Sequence, residues 1–70
     1  MKPRYWMGNV PTNDDFKKPI EDEFIDGKTR MGPWAFMTPS SYRTHGVGLG
    51  LGRGQRYEKQ DDGKWLKVEG

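Results

Sequence analysis

The chain has 70 residues, of which 31% are hydrophobic and none is cysteine, and its formal net charge is +2. A domain of this size buries only about 60% of the surface that its unfolded chain exposes, so its core is small. Without cysteine, disulfides and cysteine-ligated zinc are excluded. The start of the chain lacks the apolar run of a signal peptide, and no stretch approaches the roughly 20 apolar residues that cross a bilayer. These features predict one soluble, cytoplasmic domain without a membrane partner.

The charges are separated along the chain. Residues 14–26 hold six acids against two lysines, a net charge of −4, whereas residues 27–57 hold five basic residues and no acid. Such separation predicts a dipolar surface with one face that attracts anions. The alternative is that folding brings the two segments together and cancels their charges.

The first 12 residues are predicted to form an extended arm ahead of a single domain over residues 13–70. Prolines near both ends of the arm oppose a helix, and three side chains can hold it on the domain: Tyr5, Trp6 and Val10. A helix-start pattern at residues 12–15 can give no more than one turn, because Pro19 follows.

Two hairpins are predicted from turn residues. Asp26-Gly27 is typical of a tight type I′ turn, in which both central residues need a positive φ, so the chain should reverse between residues 23–25 and 28–31. Near the end of the chain, a second hairpin is predicted over residues 56–68, around Asp61-Asp62-Gly63.

A buried strand over residues 34–37 and a short helix are predicted between these hairpins. Thr38 fits the N-cap, Pro39 the first helical position and Gly46 a left-handed position after the helix. Arg43 and His45 lie near the C-terminus of the helix, where positive charge suits the helix dipole. The lone histidine is therefore interpreted as a capping residue rather than a catalyst.

Glycine takes every second position from Gly46 to Gly54. This period of two predicts a strand with one bare face, which would lie flat under a tryptophan. All three tryptophans are predicted to belong to the core: Trp6, Trp34 and Trp65. A phosphate-binding loop is excluded, because no register gives the glycine spacing of a dinucleotide or triphosphate site.

Four segments together form a recognisable sequence pattern: Lys-Pro-Ile at 18–20, Phe-Ile-Asp-Gly-Lys-Thr at 24–29, Gly-Pro-Trp-Ala-Phe-Met at 32–37, and the glycine-rich stretch through Tyr57. Over roughly residues 13–60 this sequence pattern resembles that of small bacteriophage-type zinc-ribbon proteins. Those proteins carry one pair of cysteines on a first turn and a second pair where a helix opens. The resemblance implies a small α+β fold with treble-clef or zinc-ribbon-like hairpins and one short helix.

The four cysteine positions of that pattern are occupied by other residues, namely Asn13, Phe16, Thr38 and Ser41. None of them is a thiolate, so the structural zinc of the usual ribbon is excluded. The resemblance then implies a metal-free ribbon, in which packing or contact with a partner replaces the metal. No cofactor is indicated.

Catalysis is not indicated either. The chain has no cysteine nucleophile, and no serine is paired with a histidine and an acid at a recognisable spacing. The protein is therefore predicted not to be an enzyme.

Binding is predicted in the basic, glycine-rich window, where arginines, glycine and an aromatic residue alternate. The candidate binding residues are Arg43, Arg53, Gln55, Arg56 and Tyr57. Arginine and tyrosine also dominate protein-binding hot spots. Because contact with a partner would explain the small core and the lost metal, the favoured function is a phage-type accessory protein in the host cytoplasm that binds a host or virion protein. The alternative is a nucleic-acid-binding module, in which Arg53, Arg56 and Tyr57 meet phosphates and bases within residues 27–57. A homo-oligomer is also left open.

Overall fold

Four antiparallel strands and one short helix make up the fold in a computed structural model that describes residues 3–70. The elements in chain order are β1 (Glu23–Lys28), β2 (Trp34–Met37), α1 (Pro39–His45), β3 (Gly54–Lys59) and β4 (Trp65–Glu69). The strands form one sheet in the order β2-β1-β3-β4. The predicted small α+β class is confirmed.

One face of the sheet carries an aromatic cluster around Phe24, which is completely buried. Four rings surround it, with centroids between 5.1 and 5.6 Å from that of Phe24: Trp6, Phe36, Tyr57 and Trp65. Two of the three tryptophans predicted for the core therefore lie in it. The prediction is wrong for Trp34, which begins the edge strand β2 and is 46% exposed.

The N-terminal arm supplies one of these rings. Tyr5 pairs with Leu66 of β4, and the Trp6 main-chain N–H donates to the Trp65 carbonyl at 2.9 Å. Of the three side chains expected to hold the arm, Tyr5 and Trp6 lie in the segment that makes these contacts, and residues 1–2 of the arm lie outside the described residues. Because Trp6 contacts Phe24, the arm contributes directly to the core.

The opposite face of the sheet carries Ile25 and Met37, both buried, and α1 packs on β1 and β2. The predicted helix is confirmed, with Thr38 as N-cap accepting from the Ser41 N–H at 3.3 Å and Pro39 at the first helical position. A strand over residues 34–37 is confirmed as β2, but the predicted burial is wrong for most of it, because β2 lies at the edge of the sheet and only Met37 is buried.

The predicted left-handed glycine after the helix is wrong. Gly46 is extended, with φ −76° and ψ 160°. It pairs with Thr29 beside the sheet, and a Cβ at this position would meet the ring of Tyr42. Gly46 is needed because a ring approaches it closely.

The predicted turn at Asp26-Gly27 is also wrong, because both residues lie inside β1. Gly27 faces Gly54 of β3, and a Cβ at Gly27 would lie 3.1 Å from the Gly54 Cα and 2.9 Å from the Arg53 carbonyl oxygen. The chain instead reverses over residues 29–33, where Gly32 has φ +110°. Tertiary contact with a second glycine therefore overrides the local turn preference of Asp-Gly.

The glycine-rich stretch is mostly a loop, which contradicts the predicted strand; only Gly54 at its end belongs to β3. Gly48, Gly50 and Gly52 have φ values of +130°, +122° and +79°, in which L side chains are rarely found. No ring lies within 4 Å of a Cβ built at any of these three positions. The loop approaches the sheet through its backbone: a Cβ at Gly54 would lie 3.4 Å from the Gly48 carbonyl oxygen.

The terminal hairpin is confirmed, since β3 and β4 pair on either side of a turn that contains Gly63, with φ +86°. The β3–β4 register shifts between Arg56 and Tyr57. This shift places Arg56 opposite Glu69 and Tyr57 opposite Lys67.

Candidate functional site

Two loops distant in sequence meet at one end of the molecule. They are the turn between β1 and β2 and the glycine-rich loop before β3. A groove of about 470 Å³ lies between them and is lined by side chains that include Lys28, Arg30, Met31, Val47 and Arg53. Together with Leu51 at the turn of the glycine-rich loop, these five residues are called the basic tip.

Main-chain hydrogen bonds hold the two halves of the basic tip together. The Lys28 N–H donates to the Arg53 carbonyl at 2.7 Å, and the Arg30 N–H donates to the His45 carbonyl at 2.8 Å. Within the glycine-rich loop, the N–H groups of Arg53 and Gly54 both donate to the Gly50 carbonyl at 3.0 Å. The cations are therefore presented on backbone that is anchored to the sheet and the helix.

The basic tip has no internal counter-charge. Within residues 3–70 every ion pair involves Arg56, so Lys28, Arg30 and Arg53 form none. Among the described residues, none that lines the groove carries a carboxylate. Three like charges beside one concave surface create a positive potential that attracts anionic groups.

Apolar side chains at the basic tip are unusually exposed. Leu51 is 97% exposed, Met31 72% and Val47 42%. In so polar a chain, most large apolar side chains are needed in the core. A group of exposed ones beside cations is typical of a surface that is covered by a partner.

Arg56 lies elsewhere, in a cluster of carboxylates on the sheet. Its guanidinium is 2.7 Å from Glu58, 2.9 Å from Glu69 and 3.4 Å from Glu23. The hydrogen bond with Glu58 is the main cause that raises the pKa of Arg56. These four residues are called the glutamate cluster. Since Glu23 belongs to the acidic segment, folding cancels part of the charge separation along the sequence.

The other predicted binding residues are dispersed. Tyr57 stacks on Phe24 in the aromatic cluster, at 5.1 Å and 16° between planes, and burial raises its pKa. The Gln55 side chain donates to the Gly50 carbonyl at 3.4 Å. Arg43 lies on α1 and lines a second groove, which also contains carboxylates. Of the five predicted residues, only Arg53 belongs to the basic tip.

Sequence reasoning missed the other five residues of the basic tip as site residues: Lys28, Arg30, Met31, Val47 and Leu51. Lys28 and Arg30 were counted in the acid-free window, which was the available signal. Nothing in the local pattern indicated that residues 28–31 would meet residues 47–53, because the wrong turn at Asp26-Gly27 implied a different pairing of the chain.

A second polar centre links the segment before β1 to the helix. The Asp14 carboxylate accepts from the main-chain N–H groups of Phe16 and Lys18, both at 2.9 Å, and from the Thr38 N–H at 2.8 Å and hydroxyl at 3.0 Å. Asp14 is 4% exposed. This arrangement is called the carboxylate bridge.

Burial alone would raise the pKa of Asp14. Hydrogen bonds from Thr38, Lys18, Ser41 and Phe16 outweigh burial and lower this pKa to about 2. The carboxylate is therefore held in its charged form. Within the same described range, no three histidine or acidic side chains are grouped so that they could hold a metal ion.

Comparison with known proteins finds no match to this chain among family models, curated proteins or solved structures. Its class is accordingly defined by the fold: a small α+β domain with a four-stranded antiparallel sheet and one short helix. Within residues 3–70, no helix has the length and apolar character needed to cross a membrane.

Proposed function

We propose that this protein is a non-catalytic accessory module that docks on a host or virion protein through the basic tip. The observation that carries the proposal is one groove lined by three cations that form no ion pair within residues 3–70 and by the exposed side chains of Met31 and Val47. Arginine and methionine are enriched at the buried centre of protein interfaces, and arginine is frequent among the residues that dominate binding energy. The phage-type origin and the host cytoplasm are supported by the sequence resemblance.

A nucleic-acid interface built on Arg53, Arg56 and Tyr57 is less well supported. Arg56 faces three glutamates, which would repel phosphates. One face of the Tyr57 ring is already stacked on Phe24. Only Arg53 is left among the three residues to contact a nucleic acid.

We also propose that the fold is a treble-clef-like ribbon in which the carboxylate bridge takes the structural role of a metal. In the resemblance, Asn13 and Phe16 occupy one cysteine pair, and Thr38 and Ser41 occupy the other. Asp14 lies between the first two and bonds directly to Thr38. The Phe16 ring stacks on His45 at 3.9 Å, which adds an apolar contact between the same two segments.

Affinity capture from host lysate tests the docking function, using the wild type, the Arg30→Gln/Arg53→Gln variant and a matched control. The control is Lys59→Gln/Lys64→Gln, which removes the same charge near the opposite end of β3. We expect the wild type and control to retain a partner protein after nuclease treatment and the Arg30/Arg53 variant to lose it. Equal capture by all three proteins, or loss of the partner on nuclease treatment, would contradict the proposal.

A further inference from the structure

The groove at the basic tip is large enough for a short piece of chain. Its volume of about 470 Å³ lies within the range of roughly 300–1,000 Å³ that is usual for ligand pockets. It is bounded by two loops that the backbone hydrogen bonds connect, so their relative position is fixed. An extended segment of a few residues could therefore lie along it without unfolding either loop.

The lining of the groove determines the chemistry of its occupant. Arg30 and Arg53 offer guanidinium groups, which bind carboxylates through paired hydrogen bonds. Met31 and Val47 line the same groove and are exposed. A purely charged occupant would leave these apolar surfaces in water, so the matching segment carries both carboxylates and apolar side chains.

Addition of the partner as a further strand is disfavoured, because other segments already bond to part of each edge of the sheet. At β2, the Phe36 N–H donates to the Asp15 carboxylate at 2.8 Å, and the Phe36 carbonyl accepts from the Asp15 N–H at 3.1 Å. At β4, the Lys67 N–H donates to the Arg4 carbonyl at 2.7 Å. Recognition must therefore depend on side chains at the basic tip.

The same groove is poorly suited to nucleic acid. No aromatic ring lines it, and single strands bind largely by stacking their bases on such rings. A duplex would contact the cations through phosphates but would not cover Met31 and Val47. The exposed apolar side chains thus distinguish a peptide from a nucleic acid.

We infer that the basic tip recognises an extended acidic–apolar peptide segment of its partner. Carboxylates of that segment pair with Arg30 and Arg53, and its apolar side chains pack on Met31 and Val47. This inference rests on the docking function proposed above and specifies which part of the partner is bound.

Titration of the full chain with synthetic peptides tests the inference. The probe is acetylated, amidated Glu-Glu-Leu-Glu-Leu-Glu-Glu, compared with the same peptide carrying serine at both leucines and with a short DNA duplex, each followed by NMR and calorimetry. We expect the leucine peptide to shift resonances of Met31, Val47 and Arg53. It should bind about tenfold more tightly than the serine peptide, the factor expected for burying about two methylene groups.

Variants separate charge from apolar contact. Arg30→Gln/Arg53→Gln should lower the affinity for both peptides by about tenfold or more, the effect expected when charge-assisted pairs are lost. Met31→Ser should remove most of the difference between the two peptides. Lys59→Gln/Lys64→Gln serves as the charge-matched control and should change either affinity by less than about threefold, because exposed charges far from a site are screened. Circular dichroism verifies that each variant is folded.

Three results would overturn the inference: equal binding of the leucine and serine peptides, resonance shifts away from the basic tip, or tighter binding of the duplex than of either peptide. If the peptides fail while the Arg30/Arg53 variant still loses a partner from lysate, the docking function stands and the acidic–apolar segment is wrong. If both experiments fail, the docking function is wrong as well.

Discussion

Arg53 and Arg56 are three residues apart but lie in opposite electrostatic environments. Arg56, in the glutamate cluster, contacts three carboxylates that come from β1, β3 and β4. Arg53, at the basic tip, is exposed and forms no ion pair within residues 3–70. The comparison separates a charge that joins parts of the fold from one that is available to a partner.

The carboxylate bridge belongs on the structural side of this comparison. Asp14 is buried and accepts four hydrogen bonds, two within residues 14–18 and two from Thr38 at the start of α1. The basic tip has the reverse properties, because its charges are exposed and form no ion pair with any other residue that the structure describes. Stability should therefore depend on Asp14 and Arg56, and binding on Arg30 and Arg53.

The largest expected effect is that of Asp14→Asn. The asparagine amide would place its N–H donors against the N–H and O–H donors that bind the carboxylate, and it removes the charge. The free energy of unfolding should therefore fall by about 3 kcal/mol. Urea denaturation measures this loss. Asp61→Asn, an exposed turn residue with the same change of charge, should stay within about 0.5 kcal/mol of the wild type. A loss below about 1 kcal/mol for Asp14→Asn would show that the carboxylate bridge is not structural.

Acid should weaken the carboxylate bridge in a defined pH range. The pKa of Asp14 is lowered from 3.8 to about 2 in the folded state. Its contribution, about 2 kcal/mol, is complete above the unfolded pKa and is lost as the pH falls from about 4 through about 2. The difference in stability between the wild type and Asp14→Asn, measured over this range, isolates Asp14 from other acids. A difference that does not shrink with acid would contradict the lowered pKa.

Gly27→Ala should disturb the junction between the sheet and the basic tip. The added Cβ would lie 2.9 Å from the Arg53 carbonyl oxygen, so stability should fall by about 2 kcal/mol through strain. Gly50→Ala is the comparison, because its Cβ would meet no atom within 4 Å and only its φ of +122° is strained. That change should cost about 1 kcal/mol. A Gly27→Ala protein as stable as the wild type would show that β1 and β3 can move apart at this position without loss of stability.

Separate replacement of Arg53 and Arg56 tests directly whether only Arg56 stabilises the fold. Arg56→Gln should lower the free energy of unfolding by about 1 kcal/mol, because three glutamates then repel one another, whereas Arg53→Gln should change it by less than about 0.5 kcal/mol. Added salt should reduce the loss in Arg56→Gln by screening that repulsion. Equal losses for the two variants would remove the distinction between structural and available arginines.

The smallest effect on stability is expected for Leu51→Ser. The side chain is 97% exposed, so the melting temperature should hardly move and the free energy of unfolding should change by less than about 0.5 kcal/mol. Thermal unfolding measures this outcome. A loss above about 1 kcal/mol would show that Leu51 packs on the domain and is not available to a partner.

Local sequence patterns correctly predicted those elements in which the local conformational preference is also the conformation found in the folded protein. Thr38-Pro39 marked the start of the helix, and Gly63 marked the turn of the terminal hairpin, because each supplies a backbone conformation that the element itself requires. The turn predicted at Asp26-Gly27 is wrong because glycine, which suits a turn, also fits where two strands approach too closely for a side chain. The glycine period failed for a related reason, since residues that permit an extended strand permit many other conformations.

The sequence by itself determined the α+β class, the short helix, the absence of disulfides and the position of the cations along the chain. Only the tertiary structure decided which of these cations are paired, because the partners of Arg56 come from three separate strands. It also decided that Arg30 and Arg53 line one groove, which depends on a turn and a loop that are separate in sequence. Hydrogen bonds and strand register bring such segments together, and neither is visible in the local pattern of residues.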